Sequence, residues 1–224
     1  IMRIFGYLPT MKMAILAVSV IAMILGICMA MTQDDFKRVI AYLAVGELGY
    51  IGVGIGLGTA YSMTAGLFQA TNELVVTSML FAAFGLVLYK TKTSKISNLG
   101  GLIEDMPAAA LLTVLAGFIM AGIPPFSVFQ SKYMLCQAAM AQGIPELAII
   151  MIILSIVTFL AFLKITYMVF LRPKPAELKV SKSKIPKVTM AVLVLFLVIS
   201  LVVGLFPGLV VDKLGLMALA TLIL

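Results

Sequence analysis

Long apolar segments separated by short polar stretches dominate the sequence. Six of them approach or exceed the roughly 20 apolar residues that a helix needs to cross about 30 Å of hydrocarbon. We place these spans at 13–31, 39–60, 64–89, 107–141, 147–171 and 188–206. The tail, residues 207–224, is also apolar and could form a short seventh segment. The pattern predicts an all-α, polytopic transmembrane helix bundle of about six to seven spans.

The fourth segment is too long for one straight crossing. As a single helix, residues 107–141 would rise about 52 Å. Gly122, Pro124 and Pro125 divide it, because proline removes a backbone donor and clashes with the preceding turn. We therefore predict two half-helices joined by a break at 122–126. Irregular backbone at membrane depth survives only where protein or water covers it, and in transporters it commonly marks ion sites.

Basic residues are concentrated on one side of the predicted spans. The loops on that side hold Lys37, Arg38, Lys90, Lys92, Lys95, Arg172, Lys174, Lys179, Lys182, Lys184 and Lys187. The opposite side holds Arg3, Lys12 and Lys213. The positive-inside rule places the first set in the cytoplasm, which accounts for the net charge of +7 without a nucleic acid partner. The chain has no histidine, which excludes histidine-based metal sites and proton relays.

Four ionisable residues lie inside the predicted spans, where charge is costly and each one calls for a polar contact or a function. They are Glu47, Glu73, Lys132 and Lys164. Lys164 lies eight residues before Arg172 and could extend toward the cytoplasmic surface instead of serving an ion path. Glu47 could form a structural hydrogen bond to a neighbouring helix.

Lys132 and a polar stripe on the third span are the strongest candidates for function. Lys132 follows the helix break by about two turns and lies near mid-membrane. A buried lysine near a carboxylate can change its protonation state when the carboxylate moves, so it can carry a proton. Gln69, Glu73 and Thr77 share one helix face. This stripe either joins helices or lines a hydrated path for protons or cations.

Four segments, in this order, resemble a known family. They read "TQDDFKRVIAYLAVGELGYIGVGIGLGT", "LFQATNELVVTSMLFAAFG", "NLGGLIEDMP" and "AGIPPFSVFQSK". The chain resembles the antiporter-like, proton- or cation-translocating membrane subunits of respiratory complex I, energy-converting membrane hydrogenases and Mrp antiporters. The resemblance implies the C-terminal half of such a subunit, which comprises a second five-helix repeat and the last helix.

The resemblance also implies segment boundaries and site residues. The expected segments are the end of a preceding helix or loop (1–12), a five-helix antiporter-like repeat (13–171), a basic cytoplasmic loop (172–187), and a terminal helix with an apolar tail (188–224). Lys37 is assigned to the central polar axis, and Lys132 is the key charge of the half-channel. Family members commonly carry two histidines and a lysine where this chain has Gln69, Glu73 and Thr77. The ion path is therefore either rebuilt around Glu73 and Glu47 or lost.

Three functions remain open at this point. The first is a membrane subunit that moves H⁺ or Na⁺ in a redox-driven complex of the energy-converting hydrogenase or complex I type. The second is a structural membrane subunit that has lost its ion path. The third is a component of a stand-alone cation/proton antiporter. No residue pattern suggests covalent catalysis, so any oxidoreductase chemistry is expected in other subunits.

The resemblance implies no cofactor in this chain and iron–sulfur or nickel centres in partner subunits. The expected partners are peripheral redox subunits, lipid, and other membrane subunits, including one that supplies the first antiporter repeat. We expect a multi-pass protein of the cytoplasmic membrane, or of an equivalent energy-coupling membrane.

Overall fold

A computed structural model describes residues 9–181 and 185–223. The principal helices are α1 (Pro9–Thr32), α2 (Phe36–Leu57), α3 (Ala60–Thr91), α4 (Pro107–Ala121), α5 (Ser127–Ala141), α6 (Pro145–Thr166), α7 (Lys187–Leu205) and α8 (Gly208–Ile223). A 3₁₀ turn (Ile96–Asn98) and a one-turn helix (Leu102–Asp105) connect α3 to α4, and a π-helical turn (Tyr167–Leu171) extends α6. The described residues contain no strand, which confirms the predicted all-α class.

Five helices are long and apolar enough to cross a membrane: α1, α2, α3, α6 with its π-helical turn, and α7. They correspond to five of the six predicted spans, and the sixth is the broken pair of α4 and α5. Three basic residues of the loop count, Arg3, Lys182 and Lys184, lie outside the described residues, as do residues 1–8 of the predicted segment 1–12.

The predicted end of the second span, at residue 60, is wrong by three residues. Helix α2 ends at Leu57 because Gly58 takes a left-handed conformation with φ of 70°, which favours glycine. Thr59 then caps α3, and its side chain and that of Ser62 form a reciprocal capping box. Hydropathy separates the two spans here, but Gly58 and Thr59 are only weakly polar, so it places the boundary a few residues late.

The predicted break at 122–126 is confirmed. Helix α4 ends at Ala121 and α5 begins at Ser127, and each half contains 15 residues. Gly122 ends α4 in a left-handed conformation with φ of 77°. The break therefore combines a glycine helix stop with two consecutive prolines, as the sequence indicates.

Small residues allow the first three helices to approach closely. A Cβ added to Gly26 would lie 2.8 Å from the Cα of Gly46, so α1 and α2 pack backbone against backbone. A Cβ added to Gly54 would lie 2.6 Å from the Cα of Gly66, which gives α2 and α3 the same close contact. Such contacts between small residues are typical of membrane helix interfaces. They bring α2 and α3 together beside α5, where the charged residues of these spans lie.

The loops of the predicted cytoplasmic end are tied to one another. Ser94 donates a hydrogen bond to the Asp35 carboxylate at 2.5 Å, and Arg172 donates to the Leu99 carbonyl at 2.6 Å. Burial alone would raise the pKa of Asp35, but hydrogen bonds from Ser94 and from the backbone amides of Lys37 and Arg38 hold that pKa below its usual range. Asp35 also caps the start of α2, which fixes the end of this helix relative to the loop after α3.

Candidate ion-translocation site

The helix break exposes backbone groups deep inside the bundle. At the end of α4 the amides of Gly122 and Ile123 satisfy the carbonyls of Ile119 and Phe118, and the chain then turns away into the proline pair. The next carbonyl, that of Met120, accepts a hydrogen bond from the Lys132 ammonium at 3.1 Å. A Cβ added to Gly122 would lie 3.1 Å from the Cδ of Lys132, so the glycine also leaves room for the lysine chain. The break therefore supplies both an acceptor and space for a buried lysine.

Lys132 pairs directly with Glu47. The Nζ of Lys132 lies 2.8 Å from the Oε1 of Glu47, and the two side chains are only 7% and 1% exposed. Glu47 comes from α2 and Lys132 from α5, so the pair joins two helices that are distant in sequence. A buried ion pair is costly to form unless further hydrogen bonds satisfy both partners. Here Lys132 also donates a hydrogen bond to the Met120 carbonyl, and the second carboxylate oxygen of Glu47 accepts one from Gln69.

An aromatic ring covers the ammonium on another side. The Nζ of Lys132 lies 4.5 Å from the centre of the Tyr50 ring, within the range of a cation–π contact. The Tyr50 hydroxyl donates to the Met151 carbonyl at 2.8 Å and lies 3.2 Å from the Oγ of Ser155. Tyr50 thus orients the charge and ties α2 to α6.

A chain of buried polar side chains leads away from Glu47. The Gln69 amide donates to Glu47 at 2.8 Å, and Gln69 accepts a hydrogen bond from Ser131 at 2.5 Å. Asn72 donates to the Ser131 hydroxyl and to the Ser127 carbonyl, both at 3.1 Å. These contacts connect α2, α3 and α5. They fix the orientation of the Glu47 carboxylate, because each member of the chain is held by the next.

Glu73 lies on the same helix as Gln69 but makes different contacts. Its side chain is buried, with 7% exposure, and it accepts a hydrogen bond from Thr77, one turn along α3. Its other oxygen, Oε2, is buried and has no hydrogen-bond partner among the described residues. Burying an unpartnered carboxylate oxygen is costly, so Glu73 favours a bound proton or cation at this oxygen.

Two candidates from the sequence lie away from this cluster. Lys37 is exposed in the first turn of α2. Lys164 is exposed on α6, and its ammonium donates to the Met31 carbonyl near the end of α1 at 3.0 Å. The alternative that Lys164 extends toward the loop end of the bundle agrees with this contact. Of the predicted site residues, the structure brings together Lys132, Glu47 and Gln69 by direct contact, and Glu73 with Thr77.

Sequence reasoning missed Tyr50, Ser131 and the Met120 carbonyl as contacts of the site. Tyr50 lies one helical turn after Glu47, so their spacing on a shared helix face could have suggested Tyr50. Ser131 directly precedes Lys132, but adjacency along a helix does not place two side chains on one face. Nothing in the sequence indicates which carbonyl receives the lysine. No group of three or more His, Cys, Asp or Glu residues in the described part of the chain is placed to hold a metal ion.

A cleft of about 510 Å³ opens beside the site, between the break, α5 and α6. Lys132 forms part of its wall, together with mostly apolar residues from both helices. The lysine is therefore buried by its partners yet lies next to open space at the edge of the bundle.

Comparison with known proteins identifies the family. The sequence pattern described as "NADH:quinone oxidoreductase/Mrp antiporter, TM" matches residues 1–160. The chain belongs to this family. It is thus a member of the antiporter-like membrane subunit family and an integral membrane protein, and the resemblance inferred from the four sequence segments is confirmed.

Individual relatives agree with this assignment. The antiporter-like subunit is 38% identical to the uncharacterized protein MJ1309 of Methanocaldococcus jannaschii over 219 residues, which cover 96% of this chain and 45% of that protein. Its fold matches a chain of the Mrp complex from Dietzia sp. DQ12-45-1b with a TM-score of 0.84 at 24% identity, covering 92% of this chain and 46% of that one. A chain of the membrane-bound sulfane sulfur reductase, an archaeal respiratory membrane complex, matches with the same TM-score at 25% identity, covering 92% and 34%.

These matches also define how much of each relative the subunit represents. It spans less than half the length of MJ1309 and of both structural matches. Both matched chains come from complexes, the Mrp complex and an archaeal respiratory membrane complex.

Proposed function

We propose that this antiporter-like subunit translocates H⁺ or Na⁺ through the membrane part of a redox-driven complex, along a path that includes Lys132, Glu47 and Glu73. The observation that carries the proposal is the buried Lys132–Glu47 pair at the helix break. Charges at membrane depth persist where they face partners or water, and they commonly mark ion pathways. Gln69 and Thr77 complete the path as partners of the two glutamates.

The geometry offers a simple mechanism for the pair. While Glu47 lies 2.8 Å from Lys132, it stabilises the positive ammonium. If Glu47 moved away, the ammonium would be left in a low-dielectric site with the Met120 carbonyl and the Tyr50 ring as its remaining partners. The lysine would then favour losing its proton, because an isolated buried charge is very costly. Movement of one carboxylate therefore couples conformation to proton release.

Glu73 adds a second buried carboxylate to the proposed path. With Glu47, Glu73 and Lys132 all ionised, the cluster would hold two negative charges and one positive charge. The unpartnered Oε2 of Glu73 is a natural place for the compensating proton or cation. This supports a path rebuilt around Glu73 and Glu47 in place of the usual histidines. Lys37, exposed at the start of α2, is proposed as the continuation toward the cytoplasmic side, whereas Lys164 is left out because it bonds a backbone carbonyl near the surface.

The wider setting is also proposed. The family description includes NADH:quinone oxidoreductase, and the archaeal match is a respiratory complex. We favour an energy-converting hydrogenase or complex I type assembly in the cytoplasmic or an equivalent membrane. Its iron–sulfur or nickel centres would lie in peripheral subunits, and another membrane subunit would supply the first antiporter repeat.

Vesicles containing the purified complex test this function. Redox turnover should drive the uptake of H⁺ or Na⁺, measured by a pH-sensitive dye and by radioactive sodium in parallel. Turnover without uptake of either ion would favour a structural subunit that has lost its path. Cation/proton exchange driven by an imposed pH gradient, in a particle without redox centres, would favour a stand-alone antiporter.

A further inference from the structure

Helix α7 buries few of its side chains, and one of those is polar. Of its residues, all of which the structure describes, only Leu193 and Ser200 are buried. Ser200 is 1% exposed, whereas the other side chains of α7, apart from Leu193, are partly or fully exposed. A hydroxyl buried at this depth needs a hydrogen-bond partner. Its partners lie in the helix break.

Ser200 satisfies the free end of α5. The first amides of a helix have no intrahelical acceptors, and at the start of α5 the capping residue Phe126 contributes no side-chain hydrogen bond. The Oγ of Ser200 accepts from the Ser127 amide at 3.4 Å and lies 3.0 Å from the Ser127 hydroxyl. A cap for the half-helix that carries Lys132 is therefore supplied by a different helix.

Gly204 brings the two backbones into contact one turn further along α7. A Cβ added to Gly204 would lie 2.6 Å from the carbonyl carbon of Phe126 and 2.7 Å from the nitrogen of Ser127. Because these are backbone atoms, they could move away only if the break itself shifted. Ser200 and Gly204 share one face of α7, so together they hold the start of α5 in place.

The contact continues to the ion pair. Ser127 accepts a hydrogen bond from Asn72 through its carbonyl, and Asn72 also donates to Ser131. Ser131 donates to Gln69, which holds Glu47. Ser131 lies one turn after Ser127 on α5, and Lys132 is the residue that follows Ser131.

We propose that Ser200 and Gly204 of α7 are positioning residues for ion translocation, because they fix the start of α5 and thereby the alignment of Lys132 with Glu47. This inference rests on the proposed function. It assigns a role in the ion path to α7, which lies outside the predicted five-helix repeat and carries no charge in its buried part.

A double-mutant cycle tests the contact in the intact complex. Ser200→Ala and Ser127→Ala should each reduce the initial rate of turnover-driven ion uptake by about 2- to 10-fold, the range expected for one hydrogen bond. Ion uptake in the double variant should be no slower than in the more damaging of the two single variants, because both substitutions break the same hydroxyl pair. Rates are expressed per assembled complex, quantified by the chain that copurifies with its partners. Unchanged uptake in the single variants, or losses that multiply in the double variant, would overturn the inference.

Matched glycine substitutions provide an independent measurement. Gly204→Ala should slow uptake by about tenfold or more, since its Cβ meets backbone of the break. Gly85→Ala on α3 is the control, because a Cβ there meets nothing within 4 Å. Equal uptake in these two variants would contradict a positioning role for α7. Lys132→Ala, measured alongside, distinguishes a failure of the proposed function from a failure of the inference about α7. Full ion uptake in Lys132→Ala would refute the proposed function. Loss of uptake in Lys132→Ala together with normal uptake in Ser200→Ala would refute only the inference about α7.

Discussion

The described residues contain two lysine–carboxylate pairs with almost the same contact distance in very different surroundings. Lys132 and Glu47 are 2.8 Å apart at the helix break, with side chains that are 7% and 1% exposed. Lys174 and Asp105 are 2.7 Å apart in the loops of the predicted cytoplasmic end, with side chains that are 39% and 30% exposed. Contact distance alone would treat them as equivalent.

Their surroundings make the two pairs energetically different. An exposed pair contributes about 0–1 kcal/mol, because water solvates each partner nearly as well when they are apart. A buried pair loses hydration that its mutual attraction only partly restores, and removing one partner costs about 3–5 kcal/mol. A buried pair is therefore weak support for stability and needs another reason to exist. Ion movement is that reason in our proposal.

Among substitutions at the two pairs, Lys132→Ala should have the largest effect. Lys132→Ala leaves the Glu47 carboxylate buried without its counter-charge, so turnover-driven ion uptake should be abolished. Redox turnover should either continue uncoupled or stop through back-pressure, and the complex should remain assembled. Uptake of H⁺ and Na⁺ in vesicles, measured with turnover, gives the result. Full coupling in this variant would end the claim that the lysine carries the ion path.

A paired substitution separates charge from packing. Lys132→Met combined with Glu47→Leu removes both charges, so the assembled complex should unfold at a higher temperature than the Lys132→Ala complex, because no lone buried charge remains. Ion uptake should stay absent. Recovered uptake in this apolar pair would show that the site serves packing alone.

Lys132→Arg keeps the positive charge and therefore tests whether the residue at this position must release its proton. Arginine holds its proton too tightly to release it during a cycle, so uptake should be nearly as low as in Lys132→Ala, while assembly stays close to normal. The measurement is the same vesicle assay, with assembly followed by size-exclusion chromatography. Uptake close to that of the unmodified complex would mean that a fixed positive charge is sufficient and that Lys132 need not exchange its proton.

Glu73 should produce a smaller effect, because Glu47 remains. Glu73→Gln keeps the shape and the contact with Thr77 but removes the second carboxylate. We expect ion uptake to fall by about 100-fold, the lower end of what a positioned proton-transfer group contributes, with assembly unchanged. Thr77→Val is a matched variant that removes only the hydrogen bond to Glu73 and should reduce uptake less. Unchanged uptake in Glu73→Gln would favour the structural reading of α3.

The sequence was sufficient for the helices and for the break. Apolar length located the spans, and Gly122 with Pro124 and Pro125 located the interruption, since both signals act locally along the chain. The end of α2 is predicted three residues too late because Gly58 and Thr59, which form the turn, are only weakly polar. Local backbone conformation, which hydropathy does not report, decided that boundary.

The site was only partly predictable, because charge marks the residues but not their partners. Lys132, Glu47 and Glu73 are visible as ionisable groups inside spans. Whether Lys132 would meet Glu47 or Glu73 depends on how α2, α3 and α5 rotate about their axes, which one sequence does not specify. Ser200 carries no signal at all, because a single serine in an apolar helix commonly bonds its own backbone.

The exposed pair should show the smallest effect and provides the reference for the others. Lys174→Ala removes a contact of 2.7 Å, shorter than the buried one, yet both partners can be solvated when separated. We expect a change in the free energy of unfolding of at most about 1 kcal/mol and unchanged ion uptake. Asp105→Asn should behave alike, and raising the salt concentration should erase the difference from the unmodified chain, because salt screens exposed charges. Loss of ion uptake in Lys174→Ala would show that the contact between the loops controls the ion path. The difference in burial between the two ion pairs would then no longer explain which of them serves ion movement.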